Sequence, residues 1–144
     1  MNIEGLLTVP TKIISTIGGD VLHAIKKSDQ GYSGFGEAYF STIEPHAVKA
    51  WKRHREMTLN LLVPVGEVRF VVYDDRLHSS SNGIFQQVIL SLDNYKRLTI
   101  PPMLWVGFQG VGEERAMLLN IANIQHNPLE MDRKPVADIP YNWN

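Results

Sequence analysis

Residues 59–75 constrain the fold more than any other part of the chain. Their sequence, LNLLVPVGEVRFVVYDD, holds two apolar runs on either side of residues 64–67, PVGE, a combination typical of a β-hairpin turn. After the turn, Val68, Phe70 and Val72 lie two positions apart, which is the period of a strand with one buried face. The stretch therefore predicts a hairpin whose second strand contributes one face to a hydrophobic core.

Short stretches rich in β-branched and aromatic residues recur along the chain between clusters of Gly, Pro, Ser and Asn. Few windows show helical spacing of apolar residues, so the pattern favours an all-β sandwich or barrel. For residues 11–29 a short helix over 20–27 competes with two strands split by Gly18 and Gly19, and we favour the strands. The proline-rich tail from about residue 127 is expected to lie extended against the barrel. The other predicted strands are 36–43, 47–53, 83–92, 97–100, 104–109 and 116–123.

Composition limits the classes of protein that fit this chain. A length of 144 residues suits a single domain, so we draw no internal boundary. The net charge of -1, from 14 basic and 15 acidic residues, does not favour binding to nucleic acid or to an anionic membrane. The chain has no cysteine, which excludes disulfides and thiolate chemistry and suits the cytoplasm.

Five cationic or potentially cationic side chains lie within residues 49–55, KAWKRHR. Strict strand alternation puts Lys52 and His54 on one face, and Lys49 joins them only through a β-bulge. If that face lines the barrel, the pocket suits a phosphorylated or carboxylated ligand, and His54 can act as a base near neutral pH. A charged edge strand facing water is an equally good interpretation from these residues alone.

Single polar and aromatic residues could extend such a pocket. Asp74, next to the end of the hairpin strand, could orient a pocket histidine or cap a turn, and Arg76 follows it. Asn60 alternates with leucines beside the cationic strand, so it could face a ligand or water. Trp105 could stack on a sugar or base, although an aromatic in such an apolar stretch is more often core. We interpret the remaining histidines as surface residues: His23, His46, His78 and His126.

Three stretches carry a family resemblance: SDQGYSGFGEAYFS, AVKAWKRHREMTLNLLVPVGEVRFVVYDDR and LTIPPMLWVGF. They resemble, in turn, an early Asp-x-x-Gly-Phe-x-Glu strand, an Arg-Gly-Leu-His strand with its hairpin and Val-Asp-x-Arg end, and an Ile-Pro-Pro-Gly-x-x-His-Gly-Phe element. These elements belong to the dTDP-4-dehydrorhamnose 3,5-epimerase family of the cupin superfamily. The resemblance implies a cupin domain, a double-stranded β-helix jelly roll, over residues 1–144.

The resemblance also implies an activity. Family members epimerise the 3- and 5-positions of a nucleotide-linked 4-keto-6-deoxy sugar, with a histidine base oriented by an aspartate and a tyrosine acid. We therefore expect a cytoplasmic, homodimeric epimerase of surface-polysaccharide biosynthesis that takes a nucleotide sugar and no metal or other cofactor. A catalytically inactive cupin that binds a nucleotide sugar and a sugar keto-isomerase are the alternatives.

Transferring the family's residues one by one exposes departures from its pattern. The family's arginine falls on Lys49, its base on Lys52 two positions before His54, its aspartate on Asp74 and its tyrosine near Asn120. The resemblance thus implies Lys52 or His54 as the base and Asp74 as the orienting group. The metal-binding cupins' His-x-His pair is replaced by Lys52-x-His54, so a metal is not expected. The substrate-binding candidates are Lys49, Glu37, Asn60, Arg76, Trp105 and Asn120.

Overall fold

The computed structural model describes residues 2–144, which form twelve β-strands and two short 3₁₀ helices. The strands are β1 (Leu7–Pro10), β2 (Ile13–Thr16), β3 (Gly19–Leu22), β4 (Glu37–Ile43), β5 (Val48–His54), β6 (Leu59–Val65), β7 (Val68–Tyr73), β8 (Phe85–Leu90), β9 (Lys96–Ile100), β10 (Trp105–Gly110), β11 (Ala116–Ala122) and β12 (Met131–Arg133). The 3₁₀ helices are Pro128–Glu130 and Val136–Asp138.

Ten of these strands form two five-stranded sheets that pack face to face. One sheet has the order β1-β9-β6-β11-β4 and the other the order β12-β5-β10-β7-β8, with every pair antiparallel. Consecutive strands repeatedly cross between the sheets, as in a jelly roll. The all-β prediction is confirmed. Strands β2 and β3 form a separate hairpin, as predicted for residues 11–29.

The predicted hairpin of residues 59–75 links the two sheets. Gly66 takes a φ of +77° at the turn between β6 and β7, a conformation that favours glycine. Val68, Phe70 and Val72 are fully buried between the sheets, together with alternate residues of β6. The two-residue period therefore identified the core face correctly.

A second, smaller hydrophobic cluster lies on the outer face of the β5-β10-β7 sheet. It consists of Trp51, Val71, Trp105 and Ile139, with Tyr141 and Trp143 packed against it. Through these contacts, Ile139, Tyr141 and Trp143 of the tail pack on the outer face of the sheet. Strands β1 and β12, which are only four and three residues long, were not predicted from the sequence. Within residues 2–144 no helix is long and apolar enough to cross a membrane.

Candidate active site

A cavity of about 660 Å³ lies between the two sheets. Its inner wall is apolar, with Met57, Leu59 and Leu61 on one side and Phe70 and Phe108 on the other. Polar residues gather nearer the edge strands β4 and β12 and the neighbouring strand β5. They are Glu37, Tyr39, Ser41, Lys49, Lys52, His54, Asn120, His126, Arg133 and Lys134.

An irregularity in β5 brings three of the predicted site residues to this cavity. Against β10, Lys52 pairs with Val106 but Ala50 pairs with Gly107, so Trp51 is the extra residue of a β-bulge. Lys49, Lys52 and His54 therefore all line the cavity, whereas Trp51 packs in the outer cluster. The bulge that Lys49 needs to reach the cavity is therefore present, and the charged face of the strand lines this cavity.

His54 is held by a carboxylate from the tail. Its Nδ1 contacts Glu130 Oε1, and the other oxygen, Oε2, accepts from the backbone N–H groups of Glu56 and Met57 at 3.2 and 3.3 Å. Burial alone would raise the pKa of Glu130, which is 5% exposed, but these hydrogen bonds outweigh it and lower that pKa. An ionised Glu130 accepts a hydrogen bond from the Nδ1–H group, which leaves Nε2 of the ring for chemistry.

Lys52 faces another cation across the strand pair. Arg133 of β12 is its register partner, and both side chains line the cavity. Partial burial, followed by the charges of Arg133 and Lys49, lowers the pKa of Lys52. Like charges directly opposite one another destabilise a sheet, so this pair suits an anionic ligand that neutralises both.

A tyrosine lies on the opposite wall of the cavity. Tyr39 of β4 is the register partner of Asn120 of β11, and Asn120 Nδ2 donates to its hydroxyl oxygen at 3.1 Å. The Tyr39 hydroxyl therefore keeps its own proton for another acceptor. Asn120 lines the cavity as expected, and Glu37 lies two residues before Tyr39 on the same wall.

Asp74 and Arg76 are brought together away from this cavity. The Asp74 carboxylate is fully buried and accepts from Arg76 Nε and Nη2, both at 2.9 Å, and from the hydroxyls of Ser79 and Ser81, both at 2.6 Å. Asp74 therefore does not orient His54, and Glu130 takes that role instead. Arg76 is committed to Asp74 and to the Glu4 carbonyl at 2.8 Å, which corrects its assignment to the substrate.

Asn60 and Trp105 also lie outside the cavity. Asn60 points away from it, accepting from Thr99 Oγ1 at 2.6 Å and donating to the Gly31 carbonyl at 3.1 Å. The Trp105 ring is 1% exposed in the outer cluster, where its Nε1 donates to Asp75 at 2.9 Å. Both residues stabilise the fold in this structure, which corrects their assignment as substrate contacts.

Five polar residues of the cavity lining were not predicted from the sequence: Tyr39, Ser41, His126, Arg133 and Lys134. Glu130, which contacts His54 from the tail, was not predicted either. His126 had been interpreted as a surface residue, and it is exposed at the rim. Tyr39 lies two positions after Glu37 within the stretch that carried the family resemblance, so strand alternation could have placed both on one face. Glu130 and Arg133 belong to the tail, whose pairing with β5 has no local signal in the sequence.

The histidine and carboxylate residues do not fit a metal. Within residues 2–144 no three His, Cys, Asp or Glu side chains are grouped so that they could hold an ion. At the cavity, His54 contacts one carboxylate, that of Glu130. The second oxygen of this carboxylate already accepts hydrogen bonds from two backbone N–H groups.

A jelly roll with a histidine-carboxylate pair, a tyrosine and several cations around an internal cavity is a cupin equipped for acid–base chemistry on an anionic ligand. No family model matches the sequence. The chain is, however, 41% identical to a dTDP sugar isomerase from Desulfovibrio desulfuricans G20, whose crystal structure superposes with a TM-score of 0.94 over 98% of this chain and 92% of that chain. The chain therefore belongs to the dTDP-4-dehydrorhamnose 3,5-epimerase-like family of cupins, as a divergent member.

Two curated relatives match more distantly. The probable low-salt glycan biosynthesis epimerase Agl13 of Haloferax volcanii is 33% identical over 84 residues, and the match spans 58% of this chain and 54% of Agl13. The spore coat polysaccharide biosynthesis protein SpsL of Bacillus subtilis is 28% identical over 114 residues, 76% of each chain. A dTDP-4-dehydrorhamnose 3,5-epimerase from Elizabethkingia anophelis NUHP1 is 14% identical with a TM-score of 0.82, which shows the shared fold.

Proposed function

We propose that the protein is a metal-independent epimerase acting at the 3- and/or 5-position of a nucleotide-linked 4-keto-6-deoxy sugar. One observation carries the proposal: the His54–Glu130 pair and the Tyr39 hydroxyl lie on opposite walls of one cavity. An epimerase needs a base on one face of the sugar ring and an acid on the other. The names of Agl13 and SpsL support a role in surface-polysaccharide biosynthesis, and the lack of cysteine suits a cytoplasmic location.

The chemistry follows from the ketone of the substrate. A 4-keto group acidifies the C–H bonds at C3 and C5, so a base removes one of these protons and leaves an enolate. We assign this step to His54 Nε2, because Glu130 holds Nδ1 and stabilises the imidazolium that forms. Lys52 is the second candidate for the base, since its lowered pKa favours the neutral amine. Tyr39 then donates its proton to the carbon from the opposite face.

The nucleotide diphosphate is assigned to the cations of β5 and β12. Lys52 and Arg133 oppose one another at the cavity, and Lys49 lies on the same wall. Lys49 Nζ donates to the Thr42 carbonyl at 3.0 Å, which holds its ammonium near the edge of β4. A diphosphate between these groups would relieve the repulsion between Lys52 and Arg133. Glu37 and Asn120 are left for the sugar hydroxyls.

We expect Lys52→Met and Arg133→Met each to weaken the binding of dTDP about tenfold, because each removes one partially desolvated charge from the diphosphate. Isothermal titration calorimetry at low and high salt measures both the loss and its screening. Lys27→Met, at an exposed lysine outside the cavity, is the matched control and should bind as the native protein does. Equal affinity for dTDP in all three variants would contradict the assignment of Lys52 and Arg133 to the nucleotide site.

We expect Tyr39→Phe to lower the rate of inversion about 100-fold, because the carbon then lacks its proton donor. Proton abstraction by the base on the opposite wall should continue, so the substrate carbon still exchanges its hydrogen with solvent. Nuclear magnetic resonance follows both processes in deuterated water. Tyr73→Phe removes a hydroxyl from the outer face of the sheet and serves as the control. Normal inversion by Tyr39→Phe would contradict the assignment of the acid.

The activity itself is tested by incubating the protein with dTDP-4-keto-6-deoxyglucose in deuterated water, and with its GDP and UDP counterparts. The expected result is deuterium at C3 or C5 with inversion at the labelled carbon. Ligand-induced thermal stabilisation without any exchange would instead indicate a catalytically inactive sugar-binding cupin. Neither exchange nor stabilisation with any of the three nucleotide sugars would contradict the whole proposal.

A keto-isomerase is the second candidate function, because the 41% identical relative is named a dTDP sugar isomerase. In that reaction a proton leaves C3 and returns to C4, while the carbonyl moves from C4 to C3. The same base serves both reactions, since both begin at an acidified C–H bond. The position of the carbonyl carbon in the product spectrum distinguishes them.

A homodimer is also proposed. The β2-β3 hairpin pairs with neither sheet and exposes Ile13, Ile14, Ile17 and Val21, while Phe40 is exposed on the edge strand β4. An isolated two-stranded hairpin with exposed apolar residues is marginally stable, so we expect a second copy of the chain to bury these residues. Light scattering after gel filtration should give the mass of two chains. A monomer would contradict this proposal.

A further inference from the structure

The β-bulge in β5 is held from outside the cavity by the C-terminal tail. The bulged residue, Trp51, has no partner in β10, yet both of its backbone groups are paired. Its N–H donates to the Lys134 carbonyl at 3.0 Å and its carbonyl accepts from the Lys134 N–H at 3.1 Å. Its indole Nε1 donates to the Val136 carbonyl at 3.2 Å. The tail therefore pairs both backbone groups of the bulged residue and also accepts from its indole.

Side-chain packing fixes the tail over the same point. The Trp143 ring lies 5.4 Å from the Trp51 ring, and the Trp143 carbonyl accepts from Arg69 Nη1 at 3.3 Å. Gly107, which faces the bulge from β10, leaves the room for this arrangement. A Cβ at that position would lie 2.5 Å from Ala50 Cβ and 3.1 Å from the Trp143 ring.

The bulge decides which side chains reach the cavity. With it, Lys49 and Lys52, three positions apart, both line the cavity. Without it, strict alternation would turn Lys49 to the outer face while Lys52 stayed inside. We infer that Trp143 is a positioning residue for the nucleotide site, which acts through Trp51 and the bulge to keep Lys49 in the cavity. This inference rests on the proposed function for its consequence in binding, but the structural link can be tested without it.

The structural link is tested by hydrogen exchange in Trp143→Ala. We expect the Trp51 amide to exchange at least tenfold faster than in the native protein, because the bulge loses its packing partner. The amides of β7 should keep their protection, which shows that the barrel remains folded. Asn142→Ala is the matched control, since that exposed side chain only accepts from the backbone of Asn144. An unchanged Trp51 amide in Trp143→Ala would overturn the inference.

A double-mutant cycle tests the consequence for binding. Trp143→Ala and Lys49→Met should each weaken the binding of dTDP about tenfold, but Lys49→Met should cost nothing further in the Trp143→Ala background. Additive losses would mean that Trp143 does not act through Lys49. If Trp143→Ala does not fold, Gly107→Ala displaces the tail from the other side and allows the same cycle. If the native protein binds no nucleotide, the proposed function fails, and hydrogen exchange still decides the role of the tail.

Discussion

His54→Gln is expected to lower the rate of solvent deuterium incorporation into the sugar about 1,000-fold, the largest effect on activity that the structure predicts. The substitution removes the ring nitrogen that takes the proton from carbon, while the glutamine amide still offers a donor to Glu130. Because Glu130 holds the ring through Nδ1, Glu130→Gln should lower the same rate by a smaller factor. Deuterium incorporation per enzyme at saturating substrate is the measurement.

His78→Gln provides the matched control, because that histidine is exposed and far from the cavity lining. Lys52→Met distinguishes His54 from Lys52, the competing candidate for the base. If Lys52 is the base, Lys52→Met abolishes exchange and His54→Gln retains much of it. Full exchange in both variants would contradict the assignment of the base to either His54 or Lys52.

Asp74→Asn should lower the free energy of unfolding by about 2–4 kcal/mol, the largest effect on stability, and leave the catalytic rate unchanged. The Asp74 carboxylate is fully buried and accepts from one arginine and two serine hydroxyls. An amide has one acceptor oxygen fewer and sets an NH₂ group against donors. Chemical denaturation measures the loss, and deuterium exchange below the melting temperature measures the activity.

The effect of Asp74 depends on pH in a definite direction. Burial would raise its pKa, but hydrogen bonds from Arg76, Ser79 and Ser81 outweigh burial and hold the pKa well below the ordinary value of 3.8. A lowered pKa contributes stability that is present above 3.8 and is lost as the pH falls toward the pKa of the folded state. The gap between the native protein and Asp74→Asn should therefore be constant near neutral pH and shrink in acid below about 3.8.

Asp93→Asn, at an exposed turn, is the control for the charge change and should leave stability nearly unaltered. Loss of activity in Asp74→Asn without loss of stability would restore the earlier expectation that Asp74 orients the base. That result would contradict the separation between the Asp74 network and the cavity.

The parts of the fold that were predicted correctly have local causes. The period of Val68, Phe70 and Val72 reports burial on one face, and Gly18 and Gly19 mark the turn between β2 and β3. The missed strands β1 and β12 are short and pair with distant strands. Leu7 of β1 is the register partner of Thr99 in β9, 92 residues away, and Met131 of β12 is the partner of His54 in β5, 77 residues away. Nothing in three or four residues of sequence specifies such distant partners.

In the candidate site, too, features with a local cause could be predicted from the sequence, whereas contacts with distant residues could not. The cations of residues 49–55 fitted a pocket strand and a charged edge strand equally well, and only the family resemblance favoured the pocket strand. Lys52 and His54 both line the cavity, as strand alternation requires if either one does. The partner of His54 could not be inferred, because Glu130 is 76 residues away and reaches it through the tail. Asp74 was chosen by motif position, whereas its hydrogen bonds are local and close a turn with Ser79 and Ser81.

The pairing of Tyr39 with Asn120 has a consequence for how this family can change over evolutionary time. Directly opposed residues on antiparallel strands have Cβ atoms about 5 Å apart, so a functional group can pass from one strand to its neighbour and still reach the same ligand atom. A position-by-position alignment would count the hydroxyl at Asn120 as lost, although the cavity retains one. In a jelly roll, reactive groups are therefore better compared by their place on the wall than by their column in an alignment.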